Sequence, residues 1–260
     1  MHLEELLNSL SRLAKENNIS EPYIVGGLPR DKAFGTPTEV KDVDITTGDA
    51  GSFALAMLSS KEWPDAHFRS YDDGHSSLDF KNIRLDFSNN FKLPNIKKEL
   101  DEKQGITNLK EELYSRDFTI NTLLQPMDLK KAPLDLTAMG LSDIKNKILR
   151  TPVNPELTIG YDPRRILRAI KLAIKFDLHI QPDLAEALVK YRGGIRDVSL
   201  NHIKKQVNQM LKMDSKKTIQ MLSEYKLLPI IPLSKLMTLE MTKNRMIQHL
   251  LEGSEGFNNV

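Results

Sequence analysis

The 260-residue chain contains no cysteine. Disulfides, thiolate metal sites and cysteine nucleophiles are excluded, and the composition fits a protein of the reducing cytoplasm. Long apolar runs are also missing. None approaches the roughly 18 residues that a transmembrane helix requires, so no membrane partner is expected. The opening MHLEELLNSL is acidic and amphipathic, which does not suit a secretory signal. No internal repeat or low-complexity tract is evident. Net charge is small, +2, but unevenly spread: Lys145 to Lys217 holds 16 Lys/Arg against 7 Asp/Glu, leaving the remainder net acidic. A basic half of this kind suits a polyanion, and equally suits a solvated basic surface.

What is present is ordinary for a globular protein, 40% apolar and 28% charged, with length for one large or two small domains. Leu3, Leu6, Leu7, Leu10, Leu13 and Ala14 predict an amphipathic helix over 3–17. YIV followed by Gly26-Gly27 reads as a strand running into a turn, with Pro29 suited to the first turn of a helix. VKDVDITTGD alternates as a strand, and AGSFALAMLSS (50–60) reads as a helix. HFRSY, SSLDF and IRLDFS read as short antiparallel strands, the first two joined by the turn DDGH. Residues 89–112 are charged and weakly periodic, predicting a loop with at most a short helical end. Arg116 and Asp117 open an expected helix containing Ile120, Leu123 and Leu124. From about residue 152 the pattern is all helical, with helices at YDPRRILRAIKLAIKF, 182–191, 199–212, 215–225 and 234–251. The domain boundary is expected near Thr151–Pro155, where strands stop.

Asp42 and Asp44 are two apart on a predicted strand, so both carboxylates point to one side. Like charges that close repel unless a cation sits between them, and Mg²⁺ prefers oxygen ligands. An isolated Asp-x-Asp is more often a surface acid pair near a turn. Asp86 alternates with Ile83, Leu85 and Phe87, so it faces the polar side and can join the pair; a solvent-facing acid has the same pattern. Asp79 is the other acid of interest in these strands. Strand, Gly-Gly, helix start suits a phosphate cradle, and also a simple tight turn. Asp117 fits an N-terminal cap. Asp162-Pro163 fits a cap with proline in the first turn, and Asp162 and Arg165 are three apart, expected on one helix face.

Four stretches in order resemble the class II tRNA nucleotidyltransferase and bacterial poly(A) polymerase family of the polymerase-β-like superfamily. GGLPRD with DVDIT resembles its Gly-Gly-x-Val-Arg-Asp and Asp-x-Asp motif, and SRDFTIN its Arg-Arg-Asp-Phe-Thr-Ile-Asn-Ala motif. LDLTAMGLSDIKNKILRTP resembles the connector between head and neck, and DPRRILRAIKLAIKF the neck motif with its Asp-x-x-Arg pair. The resemblance covers roughly residues 20–180. It implies an α+β fold: a nucleotidyltransferase head of mixed sheet with flanking helices (1–150), then an all-α neck and shortened body (151–260). It implies template-independent addition of nucleotides to an RNA 3′ end, foremost CCA addition or repair on tRNA from CTP and ATP. Poly(A) synthesis, an A-adding or CC-adding specialist, and a non-catalytic RNA-binding relative are the alternatives.

The implied site has Asp42 and Asp44 holding Mg²⁺ with Asp86 as third carboxylate. Gly26, Gly27 and Arg30 position the triphosphate, and Arg116, Asp117 and Asn121 contact the nucleotide. Asp117 reads the ribose 2′-OH, and Asp162, Arg165 and Arg168 serve the base. Several positions depart from the family pattern. Pro29 stands where Val is usual, Ser115 replaces an Arg with expected weakening of triphosphate or RNA contacts, and Tyr161 replaces a Glu. Gly-Gly to Asp42 is about two residues longer than usual, and only about 80 residues follow the neck motif. No His-Asp dipeptide marks an appended phosphohydrolase domain.

Overall fold

Leu6, Leu7, Leu10, Leu13 and Ala14 form one stripe of helix α1 (Leu3–Glu16), and all are buried. Spacing of three and four puts them on a single helical face, which needs an apolar partner. That partner is a six-stranded sheet. The computed structural model describes residues 3–36, 42–47, 50–60, 62, 66–71, 75–87, 91–100 and 106–231. Within them the chain divides into two compact units, Met1–Asn146 and Lys147–Val260.

The first unit runs β1 (Tyr23–Val25), α2 (Gly27–Ala33), β2 (Asp42–Thr46), α3 (Ala50–Ser59), β3 (His67–Ser70), β4 (Ser76–Phe80) and β5 (Ile83–Phe87). It continues with α4 (Ile96–Leu100), α5 (Asn108–Tyr114), β6 (Leu124–Pro126) and α6 (Gly140–Asn146). Sheet order is β3-β4-β5-β2-β1-β6. The central pair β2–β5 is parallel, and the other pairs are antiparallel. Strand alternation gives the sheet two unlike faces. Val43, Ile45, Leu78, Phe80, Leu85 and Phe87 pack in one core with α1 and with Phe53 and Met57 of α3. Each such fully buried side chain contributes about 1.5–3 kcal/mol. The alternate residues Asp42, Asp44, Arg84 and Asp86 therefore share the opposite face.

Two expectations are corrected here. Arg116 and Asp117 do not open a helix: Phe118 is extended (φ −137°, ψ 150°), a 3₁₀ turn covers Thr119–Asn121, and Leu124 begins edge strand β6. The Asp117 carboxylate accepts from Phe118 N–H (2.9 Å) and Asn121 Nδ2 (2.8 Å), stabilising a turn that competes with helix. Pairing with β1 then claims Leu124 and Gln125. The expected loop over 89–112 contains two short helices, α4 and α5. Thr107 caps α5 by accepting from Lys110 N–H at 3.3 Å.

The second unit contains β7 (Ile148–Leu149), α7 (Pro155–Tyr161), α8 (Arg164–Phe176), β8 (His179–Ile180), α9 (Pro182–Lys190), α10 (Leu200–Met213) and α11 (Ser215–Glu224). A 3₁₀ segment, Arg192–Asp197, precedes α10 and contains Gly193 and Gly194. The region is helical with one exception to the expected all-helical pattern: β7 and β8 pair in parallel across α7 and α8. That pairing moves the division between units to Asn146/Lys147, ahead of the expected Thr151–Pro155. The turn at 72–74 and the helix expected at 234–251 lie outside the described residues. Among the described residues no helix is long and apolar enough to cross a membrane.

Candidate active site

The polar face of the sheet carries the candidate carboxylates. Parallel pairing sets Asp44 directly beside Asp86 and Asp42 beside Arg84. Neighbouring strands lie about 4.8 Å apart, so Asp44 and Asp86 are close by construction. Asp42 and Asp44 are exposed and Asp86 is half-buried. Burial raises the Asp86 carboxyl above its ordinary range; the charges of Asp44 and Asp42 push the same way, against Arg84. Mutual repulsion of this kind is what a divalent cation relieves, and three all-oxygen donors match a hard ion such as Mg²⁺. The donor set fits. Among the described residues no three His, Cys, Asp or Glu side chains stand grouped so as to hold a metal ion.

Asp79, the other acid singled out in these strands, is engaged elsewhere. It accepts from Arg84 Nε at 2.7 Å and Nη2 at 3.1 Å, and pairs with Arg69 at 3.0 Å. Arg84 is thus held in place next to Asp42 on the sheet.

Gly26 ends β1 and faces Asp44. Its φ of +81° is one that L side chains rarely adopt, and a Cβ there would lie 2.7 Å from Asp44 Oδ2 and 3.6 Å from Arg116 Nη1. The turn therefore brings a bare backbone against both a candidate metal ligand and a guanidinium. Gly27 starts α2, and Pro29 is buried in its first turn. Arg30 donates through Nη1 to Asn121 Oδ1 (2.8 Å) and through Nε to Asp31 Oδ1 (2.7 Å). Asn121 donates in turn to Asp117. Gly26, Asp44 and Arg116 are brought together, and Arg30, Asn121 and Asp117 form a second, continuous set. Asp117 itself is buried.

Sequence reasoning missed Glu112. Its buried carboxylate accepts from Thr46 Oγ1 at 2.6 Å and from Arg116 Nη2 at 3.2 Å, tying β2 to the arginine beside Gly26. The available signal is the four-residue spacing from Glu112 to Arg116, which pairs side chains on a helix; it was hidden by expecting a loop there. Ser115 is also explained. It is fully buried, its Oγ donating to the Glu111 carbonyl (2.7 Å) and accepting from Leu93 N–H (2.9 Å). Position 115 thus serves the interior of this unit rather than a ligand.

In the second unit Asp162 does not share a helix face with Arg165. It precedes α8 in extended backbone (φ −137°, ψ 99°), and its carboxylate accepts from Arg164 N–H (3.0 Å), Nε (2.8 Å) and Nη2 (3.0 Å). Its cap character is genuine, while its ion pair is with the neighbouring Arg164. Burial opposes its charged form, but the bonds and charge of Arg164 outweigh burial and hold the carboxyl below its ordinary range. Arg165 is buried, its N–H donating to the Asp162 carbonyl at 3.0 Å. The turn is wedged: a Cβ on Gly194 would lie 2.6 Å from Pro163 Cγ. On α10, burial lowers the His202 pKa, and the charges of Arg164, Arg168 and Lys171 lower it further. Lys171 Nζ donates to Gln209 Oε1 at 3.3 Å, which together with the His202 neighbours means that α8 and α10 run in parallel.

The family described as the Poly A polymerase head domain matches residues 22–150. The CCA-adding enzyme of Ligilactobacillus salivarius is 29% identical over 193 residues, 70% of this chain and 43% of that protein. Poly(A) polymerase I of Salmonella typhimurium is 28% identical over 252 residues, 88% of this chain and 50% of that protein. The structure of the Thermotoga maritima CCA-adding enzyme complexed with tRNA superposes with a TM-score of 0.65 at 26% identity, covering 86% of this chain and 51% of that one. The chain spans about half the length of the curated relatives it matches. The match over residues 22–150 and the likeness to these relatives place the chain in the class II nucleotidyltransferase family, with a poly A polymerase head domain at residues 22–150.

Proposed function

We propose that the chain supplies the catalytic part of a template-independent RNA 3′-terminal nucleotidyltransferase that adds or repairs the CCA end of tRNA from CTP and ATP. The observation that supports this most directly is the register that sets Asp44 beside Asp86, with Asp42 two residues earlier and the bare Gly26 turn against Asp44. Asp42 and Asp44 hold Mg²⁺, with Asp86 as the third carboxylate. When bound, Mg²⁺ makes the RNA 3′-hydroxyl a better nucleophile and neutralises charge on the triphosphate and departing pyrophosphate. The Gly26-Gly27 turn lets the triphosphate approach backbone closely. Arg116 adds positive charge there, its Nη1 bordering the Gly26 turn. Arg30 and Asn121 orient the nucleotide, and Asp117 sets their geometry from behind.

Base choice rests, in this reading, on Asp162, Arg165 and Arg168 of the second unit. A carboxylate accepts from an exocyclic amine and a guanidinium donates to ring or carbonyl acceptors, so side chains can select C or A without a template. Arg164 is the competitor that an incoming base must displace or share, because it already chelates Asp162. Activity on cytoplasmic RNA accompanies this proposal.

Poly(A) synthesis is the second reading. It is favoured by the longer match, 252 residues, to a protein named poly(A) polymerase I. One experiment separates the two. The purified chain is given tRNAs ending before C74, C75 and A76, and an unrelated RNA, with labelled CTP or ATP and Mg²⁺. Addition that stops after completing CCA supports the first reading; an untemplated A tract supports the second. Failure to extend any RNA refutes both. Asp42→Ala is expected to abolish extension and leave RNA binding nearly unchanged.

A further inference from the structure

The polar face of the sheet does not end at the carboxylates. Ser77 of β4 pairs directly with Asp86, and Arg69 of β3 with Ser77. Beyond β3 the hairpin continues, Tyr71 N–H donating to the His75 carbonyl at 3.0 Å. Phe68, Leu78 and Phe80 pack on the core side, so alternation puts Arg69, Tyr71, His75 and Ser77 on the carboxylate side. The side chains agree. A hydrogen bond of 3.3 Å joins Tyr71 Oη and Ser77 Oγ. The Tyr71 and His75 rings stack with 4.0 Å between centroids and 7° between planes. The charge of His75 reaches Asp86, where it opposes the rise of that carboxyl. Tyr71 is 38% exposed, while Ser77 is fully buried. An aromatic pair is thus locked in place, partly open to solvent, one strand beyond Asp86. Given strands about 4.8 Å apart, it stands about 5–10 Å from the carboxylates. Charge changes sign across the same face. Asp42, Asp44 and Asp86 gather at the centre, whereas at the β3–β4 edge the Asp79 carboxylate serves two guanidiniums, Arg84 and Arg69. The Arg69 side chain is also half exposed. The centre suits a cation and the edge an anion.

We propose that the Tyr71–His75 stack is a platform for the base at the RNA 3′ end, with Arg69 beside it holding a backbone phosphate. The inference rests on the transferase reading proposed above and deepens it by saying where the RNA lies. Proteins bind single-stranded RNA by stacking its bases on aromatic rings and tracking its backbone with positive charge. Both elements are present at this edge, and the neighbouring carboxylates are where a 3′-hydroxyl reacts in that reading. The hydrogen bond between Tyr71 and Ser77 already orders the ring, so little side-chain freedom is lost when a base lands on it. Stacking uses the face of a base and tolerates any sequence. One platform therefore accepts whichever base ends the RNA as it grows.

The test is binding of a short fluorescent single-stranded RNA to the whole folded chain, read by anisotropy, with circular dichroism to establish folding. Tyr71→Ala is expected to weaken binding about 5–100-fold, the worth of one base–ring stack. Tyr71→Phe keeps the ring and is expected to stay within about threefold of wild type. A second RNA, abasic at its 3′-terminal nucleotide, separates stacking from support of the fold. It should bind wild type as weakly as the normal RNA binds Tyr71→Ala, and should bind Tyr71→Ala no worse than that. Additive losses overturn the proposal, because a merely structural Tyr71 leaves the contribution of the base intact. Wild-type affinity in Tyr71→Ala, Tyr71→Phe as weak as Tyr71→Ala, or a wild-type chain that binds no RNA overturns it too. Arg69→Gln should reduce the slope of log affinity against log salt by about 0.7, and an unchanged slope overturns the phosphate contact. Loss of CTP or ATP binding in Tyr71→Ala with RNA binding unchanged assigns the stack to the incoming nucleotide instead and overturns the proposal. If Tyr71→Ala does not fold, Tyr71→Leu, which fills the space without an aromatic face, takes its place with the same expectations. A chain that extends no RNA but shows the base–ring coupling loses the transferase reading and retains the platform. One that extends RNA without the coupling loses the platform alone.

Discussion

Gly26→Ala tests the geometry of the site most directly. The native backbone has φ 81° and ψ −122°, a combination open to glycine and strained for alanine by about 1–3 kcal/mol. The new methyl would also stand 2.7 Å from Asp44 Oδ2, closer than atoms pack, so the carboxylate must rotate away. Together these set a loss of roughly 2–4 kcal/mol, in the upper range for a single substitution. With a urea m-value of about 2 kcal/mol/M, the midpoint of the first unit's transition falls by roughly 1–2 M. Gly27→Ala is the matched control. Its Cβ would meet nothing nearer than Arg30 Nη2 at 3.6 Å, an ordinary contact at a helix start, so its stability should stay within about 0.5 kcal/mol of wild type. Urea titrations followed by circular dichroism give the stabilities. Extension assays on both variants, under conditions where each is folded, give the effect on the displaced carboxylate: severe for Gly26→Ala, small for Gly27→Ala. Equal stability and equal activity of the two variants would refute the placement of Asp44 against the turn.

Other consequences are open to measurement. Asp86→Asn should raise the urea midpoint at neutral pH, because a carboxyl whose folded pKa is raised contributes stability below its unfolded pKa and loses it as pH rises through the folded value. The same variant should lose about two orders of magnitude or more in extension rate if Asp86 is the third metal carboxylate, as proposed. Ser115→Arg should destabilise the first unit by about 3–5 kcal/mol by burying an unpaired charge, and Ser115→Ala by about 1–3 kcal/mol by orphaning Leu93 N–H; thermal unfolding measures both. Asp162 has the opposite sign to Asp86: its folded carboxyl is held low, so its contribution is present above the ordinary carboxylate range and is lost as pH falls through the folded value. Asp162→Asn should therefore flatten the acid limb of the second unit's stability curve, measured by urea titration across pH. RNA affinity should fall steeply with salt if the basic half contacts phosphates, and a flat dependence would count against that role.

Period-two alternation made the sheet legible. Val43, Ile45, Leu85 and Phe87 announced their strands, and the same alternation put Asp42, Asp44 and Asp86 on one side. The sequence did not disclose that β2 and β5 are parallel neighbours, because pairing between distant segments leaves no local trace. Leu123 and Leu124 read as helical since an apolar pair after Ile120 fits that period; the turn made by Asp117 and the demand of β1 for a partner decided otherwise. Glu111 and Glu112 fall in the charged stretch expected to be a loop, yet both are buried against specific partners, Lys92 for the first and Thr46 with Arg116 for the second. Asp162 was legible as a cap, while Arg164 was overlooked because spacing of two on a helix does not pair side chains and Asp162 lies outside the helix.

The parallel β2–β5 pair also bears on how the molecule assembles. Asp44 and Asp86 are brought together by a pairing between strands separated in sequence by α3, β3 and β4. Closing such a non-local pair is slow compared with hairpin formation, because chain entropy is lost before contacts compensate. In this fold the same closing step brings like charges together. If these carboxylates hold a divalent cation as proposed, its presence during refolding should relieve that repulsion and hasten the step.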